Sequence, residues 1–430
     1  MNAHETAAYA LKKLSQTGAQ QYSCEAHTAE KREFNVDGGL FSLLRTTIDN
    51  RLDLTLIKDH RRGKVLINSF SAEAVDSAVS DCLASAGSAQ EDPAWQLYEG
   101  TQKSFTLGTP QGDMDRLFQR SRELLETIKR DYPKVMVEQM IVEHESAKGI
   151  YMNSLGAEYE TLEGSYSLSL MFSGHDGDKT SSFNGAGVST DSLDTPLIEL
   201  GALRQLLSDA EKQIDTVATD GKFVGPVVFT PDCAGSMIYE LLGNFVTDGV
   251  ILDGTSLWKD KLGQMVADPG LTISAAPLHP AIVCGERYTS DGRVSQDYDI
   301  IKDGRLSAFA LSSYVANKTG HKAAPNSSYS LIVPAGSRSI RDIIAGIDRG
   351  LLVSRFSGGS PSSSGDFSGV AKNSFLIENG QIGPAVSETM ISGNLAGMFE
   401  KLRGISSERV QDGSTLMPYI AVDGITISGK

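Results

Sequence analysis

A hydrolytic zinc site commonly takes two imidazoles from one helix face, three or four residues apart, with a glutamate beside them. The chain has seven histidines: His4, His27, His60, His144, His175, His279 and His321. The closest two, His4 and His27, stand 23 residues apart, so no helical ligand pair exists. His144-Glu145 opens such a pattern, but Ser146-Ala147-Lys148-Gly149-Ile150 follows in a segment that reads as strand. A satisfied or solvent-facing histidine is the expectation there. Convergence of distant ligands in the fold is the remaining route to a metal. The four cysteines, Cys24, Cys82, Cys233 and Cys284, form no C-x-x-C pair. They read as reduced thiols of a cytoplasmic chain.

Other nucleophile and phosphate motifs fail on context. No G-x-S-x-G elbow is present, which removes the anchor of an α/β-hydrolase. Gly424 to Lys430 matches the start of a P-loop, but no helix follows the lysine, so it reads as a closing strand. Gly185-Ala186-Gly187 lacks the third glycine of a dinucleotide fingerprint. Asp176 and Asp178 read as a polar hairpin tip rather than a cation site.

The elements that must position any chemistry follow from pattern. Residues 5–14 have helical apolar spacing, stopped by Gly18. Strands are expected at 20–35, 40–48, 51–59 and 64–69, with turns at Asp37-Gly38-Gly39, Asp49-Asn50 and Arg62-Gly63. A helix capped by Ser71 covers 71–84. Residues 85–110 are polar and irregular. A strong helix at 113–132 precedes strands at 135–146, 149–154, 157–172 and 180–189, then a helix at 197–217. Beyond Gly221 the chain turns Gly- and Ser-rich, with a strand at 226–230, a helix at 234–245 and strands alternating with glycine turns. Short helices interrupt near 312–319, 340–349 and 394–402. The reading is an α+β fold of antiparallel sheets with flanking helices. Its domains are an N-terminal α+β unit (1–88), a linker (89–112), a middle α+β unit (113–220) and a larger, mostly antiparallel β domain (221–430).

Charge narrows the partners. There are 39 basic and 54 acidic residues, a net charge of −15. Such a chain repels nucleic-acid phosphate and anionic membrane unless it carries a basic patch. The best run, Lys58, His60, Arg61, Arg62 and Lys64, contains Asp59 and reads as a charged hairpin turn. Nothing near the N-terminus looks like a signal peptide, and no apolar stretch approaches a membrane span, so a cytoplasmic location is expected.

A family resemblance rests on motifs in order. Leu352-Val353-Ser354-Arg355-Phe356-Ser357-Gly358-Gly359-Ser360 continues through Pro361 to Ser364-Gly365-Asp366-Phe367-Ser368. Then come Ile377-Glu378-Asn379-Gly380 and Ser387-Glu388-Thr389-Met390-Ile391-Ser392-Gly393-Asn394-Leu395. Asp253-Gly254-Thr255-Ser256 with Trp258 to Gly263, Asp291-Gly292-Arg293, Ile301 to Leu306, Ile57 to Val65 and Asn153-Ser154-Leu155-Gly156 agree. This succession resembles the TldD/PmbA peptidase family, known also by a "modulator of DNA gyrase" label. The resemblance covers nearly the whole chain and is strongest after Phe223.

TldD-type chains of that family carry H-E-x-x-x-H on the helix after the first strand of the C-terminal domain. Here that strand is Pro226 to Thr230, and the helix reads Pro231-Asp232-Cys233-Ala234-Gly235-Ser236-Met237-Ile238-Tyr239-Glu240. It has no histidine. Cys233, Ser236 and Glu240 offer at most weak ligands. The resemblance therefore implies the PmbA/TldE type, a subunit holding no metal, paired with a TldD-type partner that holds zinc. Such a pair encloses a cavity for unfolded peptide, where zinc polarises the scissile carbonyl and activates water. No catalytic residue is assigned to this chain. The candidates for lining the cavity are Arg355, Ser357, Gly358, Gly359, Ser360, Ser364, Gly365 and Asp366, in a loop whose small residues leave backbone amides accessible. A packed surface turn, with Arg355 and Asp366 in a local ion pair, is the competing reading of that loop. Self-association in the partner's absence stays open. So do two other functions: an active metallopeptidase with dispersed ligands, and a non-enzymatic modulator that binds a target protein.

Overall fold

The structure, a computed structural model, describes residues 1–387 and 389–429. Glu388 of the S-E-T-M-I-S-G-N motif and Lys430 of the P-loop-like terminus lie outside the described residues. Helix α1 (Ala3–Leu14) is followed by three long antiparallel strands: β1 (Gln21–Asp37), β2 (Leu40–Lys58) and β3 (Arg61–Ile67). Then come α2 (Ala72–Ser88), β4 (Gln102–Gly108), α3 (Met114–Asp131), β5 (Val135–Asn153), β6 (Glu158–Asp176), β7 (Lys179–Thr180), β8 (Asn184–Thr190) and α4 (Leu203–Lys212). Among the described residues these strands form one sheet, in the order β3-β2-β1-β5-β6-β4, with β7 and β8 also on β6. The units 1–88 and 113–220 thus share a sheet, joined where β1 pairs with β5 from Ser23/Asn153 to Asp37/Gln139.

One face of the sheet carries all four helices. Alternation puts Cys24, Ala26 and Val36 of β1 on that face. Helices α1 and α2 cover Cys24, Ala26, Leu52 and Leu54. Helices α3 and α4 cover Val36, Val142, Leu168 and Leu170. Burying such apolar side chains is worth about 1.5–3 kcal/mol each and drives the layering. The opposite face leans on the C-terminal half, where Tyr151 and Tyr159 pack with Tyr288.

Several expectations are corrected. Asp49 and Asn50 do not turn; they continue β2, opposite Ala29 and Thr28. β5 likewise runs unbroken through Ala147 and Lys148. Long partner strands supply a continuous ladder, and that pairing outweighs local turn preference. The hairpin after β2 turns at Asp59-His60, with φ of 50° and 61°, not at Arg62-Gly63. Gly63 lies within β3, where a Cβ would stand 2.0 Å from the carbonyl oxygen of Cys82; it allows α2 to approach the strand. The helix expected at 197–217 is a 3-10 turn (Leu197–Glu199), then α4, then a strand (Thr216–Ala218). Gly201, with φ of 57°, separates the first two. Residues 89–112, expected as a linker, contain β4, which runs parallel to β6.

The C-terminal half builds a mixed sheet, fourteen-stranded among the described residues and mostly antiparallel. Its centre is strand Lys222–Phe229, flanked by Leu416–Ser428 antiparallel and Arg349–Val353 parallel. Helix α5 (Pro231–Phe245) packs on this sheet through Cys233, Met237, Ile238, Leu241 and Phe245. The Asp253–Gly263 motif serves the same core: Trp258 is 1% exposed and stacks on Phe245 at 4.7 Å. The Asn379-Gly380 turn has φ of 49° and 75° at its two central residues, the pairing that a two-residue hairpin favours. Among the described residues no helix is long and apolar enough to cross a membrane.

Candidate functional site

Helix α5 has two sides of different chemistry. Its core side holds the Cys233 thiol, pushed up to about 12 by burial. Its outer side shows Asp232, Ser236, Tyr239 and Glu240, all exposed. Helical spacing aligns them, since 232, 236 and 240 are successive i, i+4 steps. The Tyr239 hydroxyl donates to the carbonyl of Tyr329 at 2.6 Å and fixes one flank of this stripe. Sequence reading had missed Tyr239; its place three residues after Ser236, on the polar side of an otherwise apolar helix, was the available signal.

The loop from Gly359 to Gly365 joins strand Arg355–Gly358 to strand Asp366–Lys372. It is tied to the last turn of α5, because the Asn244 side-chain amide donates to the carbonyl of Ser362 at 3.1 Å. The structure therefore brings the candidate loop and the polar helix face together. The loop's second half is held from both sides. Ser362 N–H donates to the Asp366 carbonyl, and Gly365 N–H to the Ser362 carbonyl, at 2.9 and 2.8 Å. Asn394, which caps helix Leu395–Glu400, donates to the Ser364 carbonyl at 2.8 Å and to the Asp366 carboxylate at 2.9 Å. Ser364 adds a hydroxyl to that carboxylate at 2.7 Å. These bonds, Asn394 first, hold the Asp366 carboxyl below its ordinary range. Gly365 is buried with φ of 89°, and a Cβ there would stand 2.9 Å from the Phe245 ring.

The first half of the loop is free of such ties. Gly358, Gly359 and Ser360 are exposed, Ser357 is half-buried, and a Cβ on Gly359 would meet nothing within 4 Å. Arg355 and Asp366 do not form a local ion pair. Arg355 lies opposite Lys372, whereas Asp366 lies opposite Asn394. The Arg355 guanidinium donates to the carbonyl of Phe183 at 3.1 Å, reaching back to the N-terminal sheet.

The donors that α5 turns outward include no imidazole and no thiolate. The exposed face offers carboxylate and hydroxyl oxygens, and the one cysteine faces the core as a neutral thiol. A closed or hydrolytic zinc site takes most of its ligands from imidazole or thiolate, with carboxylate as a supplement. Four of the seven histidines have partners elsewhere. His144 is buried, and its Nε2–H donates to the carbonyl of Thr109 at 2.8 Å. Strand alternation sends Glu145 to the other face, where it meets Lys31 at 3.3 Å. His175 lies 2.9 Å from the Ser173 hydroxyl, and His279 Nδ1 accepts from Ala281 N–H at 3.1 Å. His4 of α1 groups with Glu158 and Glu160 of β6, their ligand atoms within 4.8 Å of one another. The basic run is spent on neighbours: Arg61 pairs with Glu91 at 2.9 Å, and Arg62 lies 3.6 Å over the Trp95 ring. Asp176 is a hairpin tip paired with Lys134 at 2.6 Å.

Two of the quoted motifs have structural work. The Asn153–Gly156 and Asp291–Arg293 turns meet between the halves of the chain. Asn153 donates to the carbonyl of Tyr98 at 2.9 Å, and Tyr98 N–H donates to the carbonyl of Asp291 at 2.9 Å. Gly292, with φ of 95°, leaves room for the Asn153 amide, which a Cβ would approach to 2.7 Å.

Residues 221–429 match the family model described as the PmbA/TldA metallopeptidase C-terminal domain. Metalloprotease PmbA of Escherichia coli O157:H7 is 30% identical over 207 residues, 46% of each chain. A zinc metalloprotease TldD homolog of Saccharolobus solfataricus is 26% identical over 227 residues, 48% of this chain and 50% of that one. The chain spans about half the length of the curated relatives it matches. The crystal structure of TldE from Thermococcus kodakarensis superposes with a TM-score of 0.85 at 20% identity, covering 99% of this chain and 100% of that one. At that identity the likeness is one of fold.

Proposed function

We propose that this chain, whose residues 221–429 match the PmbA/TldA metallopeptidase C-terminal domain, is a PmbA/TldE-type subunit of a two-chain zinc metallopeptidase. In this reading a TldD-type partner carries the zinc, and this chain shapes the chamber in which an unfolded peptide is degraded or matured. The observation that carries it is α5. The helix where a TldD-type chain would place its ligands shows only oxygen donors to solvent, and the candidate loop is anchored beside them through Asn244 and Ser362.

The residues of this chain then bind and orient. Exposed Gly358, Gly359 and Ser360 present backbone amides that pair with an extended peptide regardless of its sequence. Asp366 and Asn394 hold the loop's far end so that its near end keeps a fixed position. Arg355, held by the Phe183 carbonyl, sets a positive charge at the rim and relates it to the N-terminal sheet. The assembly is read as cytoplasmic and heterodimeric.

The test uses the purified full chain and a TldD-type chain. Alone, this chain should cleave no unfolded peptide. The mixture should form a complex and cleave faster than the TldD-type chain by itself. Absence of both complex and stimulation would overturn the reading. Gly359→Pro and Arg355→Ala should then lower the mixture's kcat/KM by about tenfold without breaking the complex, as expected of groups that position substrate.

A further inference from the structure

The outer stripe of α5 is flanked by a smaller hollow. Tyr239 donates to the carbonyl of Tyr329 at 2.6 Å, and the two rings stand 5.8 Å apart. Tyr329 in turn lines a pocket of about 250 Å³ with Asp248, Arg293, Tyr298, Ile300 and Leu311. Tyr329 is 46% exposed, so the pocket opens to solvent on that flank. Sites for whole small molecules run from about 300 to 1,000 Å³, so this one has the size of a side chain. Ile300 and Leu311, each 1% exposed, supply its apolar part. Arg293 is engaged: its Nε donates to Asp291 at 3.2 Å and its Nη1 to the carbonyl of Ala324 at 2.7 Å. The Asp291 carboxylate also accepts from the hydroxyls of Thr289 and Ser313. Those two charges answer each other. Asp248 is unanswered. Its Oδ1 accepts from Ser312 N–H at 2.8 Å, while Oδ2 has no hydrogen bond or cation beside it among the described residues. The hydroxyls of Tyr298 and Tyr329 have no partner among the described residues either.

We propose that this pocket receives the lysine or arginine side chain of a peptide lying along α5, and that Asp248 selects it. A long basic side chain joins an apolar stem to a charged head. The stem suits Ile300 and Leu311. The head supplies the donor that Asp248 Oδ2 lacks, in a charge-assisted bond, and the faces of Tyr298 and Tyr329 attract a cation as well. An acidic side chain would be repelled by Asp248, and an aliphatic one would leave its carboxylate desolvated without a partner. That the guest belongs to a peptide rests on the function proposed above; the preference for a cation rests on the pocket alone.

The measurement is the affinity of the full chain for two labelled unfolded peptides that differ at one position, lysine in one and methionine in the other, followed by fluorescence anisotropy. The native chain should bind the lysine peptide about tenfold more tightly. Asp248→Asn keeps an acceptor for Ser312 N–H and should bring the two peptides to equal affinity with an unchanged circular dichroism spectrum. Asp115→Asn removes the same unit of charge from an exposed position on α3 and should leave the preference intact. A native chain that binds both peptides equally, or neither, overturns the proposal. So does a preference that survives Asp248→Asn, or one that Asp115→Asn abolishes as fully, since it would report the chain's overall acidity. The assay needs no TldD-type chain, so failure of the pocket and failure of the two-chain complex are read separately.

Discussion

Asp366, the first residue of the strand that follows the loop, carries much of the candidate site. Its carboxylate collects the Asn394 amide and the Ser364 hydroxyl, and its pKa is lowered accordingly. A group with a depressed folded pKa stabilises fully above its unfolded value, near 4, and loses that contribution as pH falls through the folded value. Protection of residues 362–365 against hydrogen exchange should therefore hold at neutral pH and fall only below about pH 4. Asp366→Asn should lose that protection at neutral pH without lowering the melting temperature. Unchanged protection in the variant would contradict the role given to this carboxylate. The cysteines make a second residue-scale prediction. Cys24, Cys82 and Cys233 are buried, with pKa raised by burial to about 12, 11 and 12, while Cys284 is half-buried. A thiol reagent should titrate at most Cys284 rapidly in the native chain, and all four after denaturation. Rapid reaction of a second thiol would mean that the core side of α5 opens.

At the scale of elements, legibility depended on whether a signal was local. The cap at Ser71 and the Asn379-Gly380 turn act within a few residues, and the structure has them where the pattern puts them. The Asp49-Asn50 and Arg62-Gly63 turns were misread because what decides them is distant in sequence. The first is overridden by pairing with Thr28 and Ala29, and the second glycine answers to Cys82 across a helix–strand contact. Gly63→Ala should accordingly cost about 1–3 kcal/mol by overpacking, measured as a lower midpoint in denaturant at unchanged slope. A neutral outcome would show that α2 can move away from β3 freely. The candidate loop was legible by composition, but its anchorage to Asn244 and Asn394 was not, since neither residue lies near it in sequence.

The whole molecule is held together by the segment that reads as a linker. Asp92 accepts from the Tyr314 hydroxyl at 2.9 Å and from Lys318 at 2.8 Å. Trp95 lies between Tyr314, stacked at 3.7 Å, and Arg62 of β3. The segment thus clamps the N-terminal sheet to helix Ser313–Thr319. Trp95→Ala should cost about 2 kcal/mol and split a single thermal transition into two, followed by calorimetry. Retention of one transition would assign the coupling to the Tyr151–Tyr159–Tyr288 contact instead. The clamp and the loop together keep the outer face of α5 in a fixed relation to the long sheet, as the proposed chamber wall requires. The central claim is that this wall does not itself hold the catalytic metal. Metal analysis of the purified full chain, after zinc loading and desalting, tests it most directly when paired with a peptidase assay of the same sample. The account predicts well under one zinc per chain and no cleavage, with both appearing on addition of a TldD-type chain. One tightly held zinc per chain with peptidase activity in isolation would contradict it.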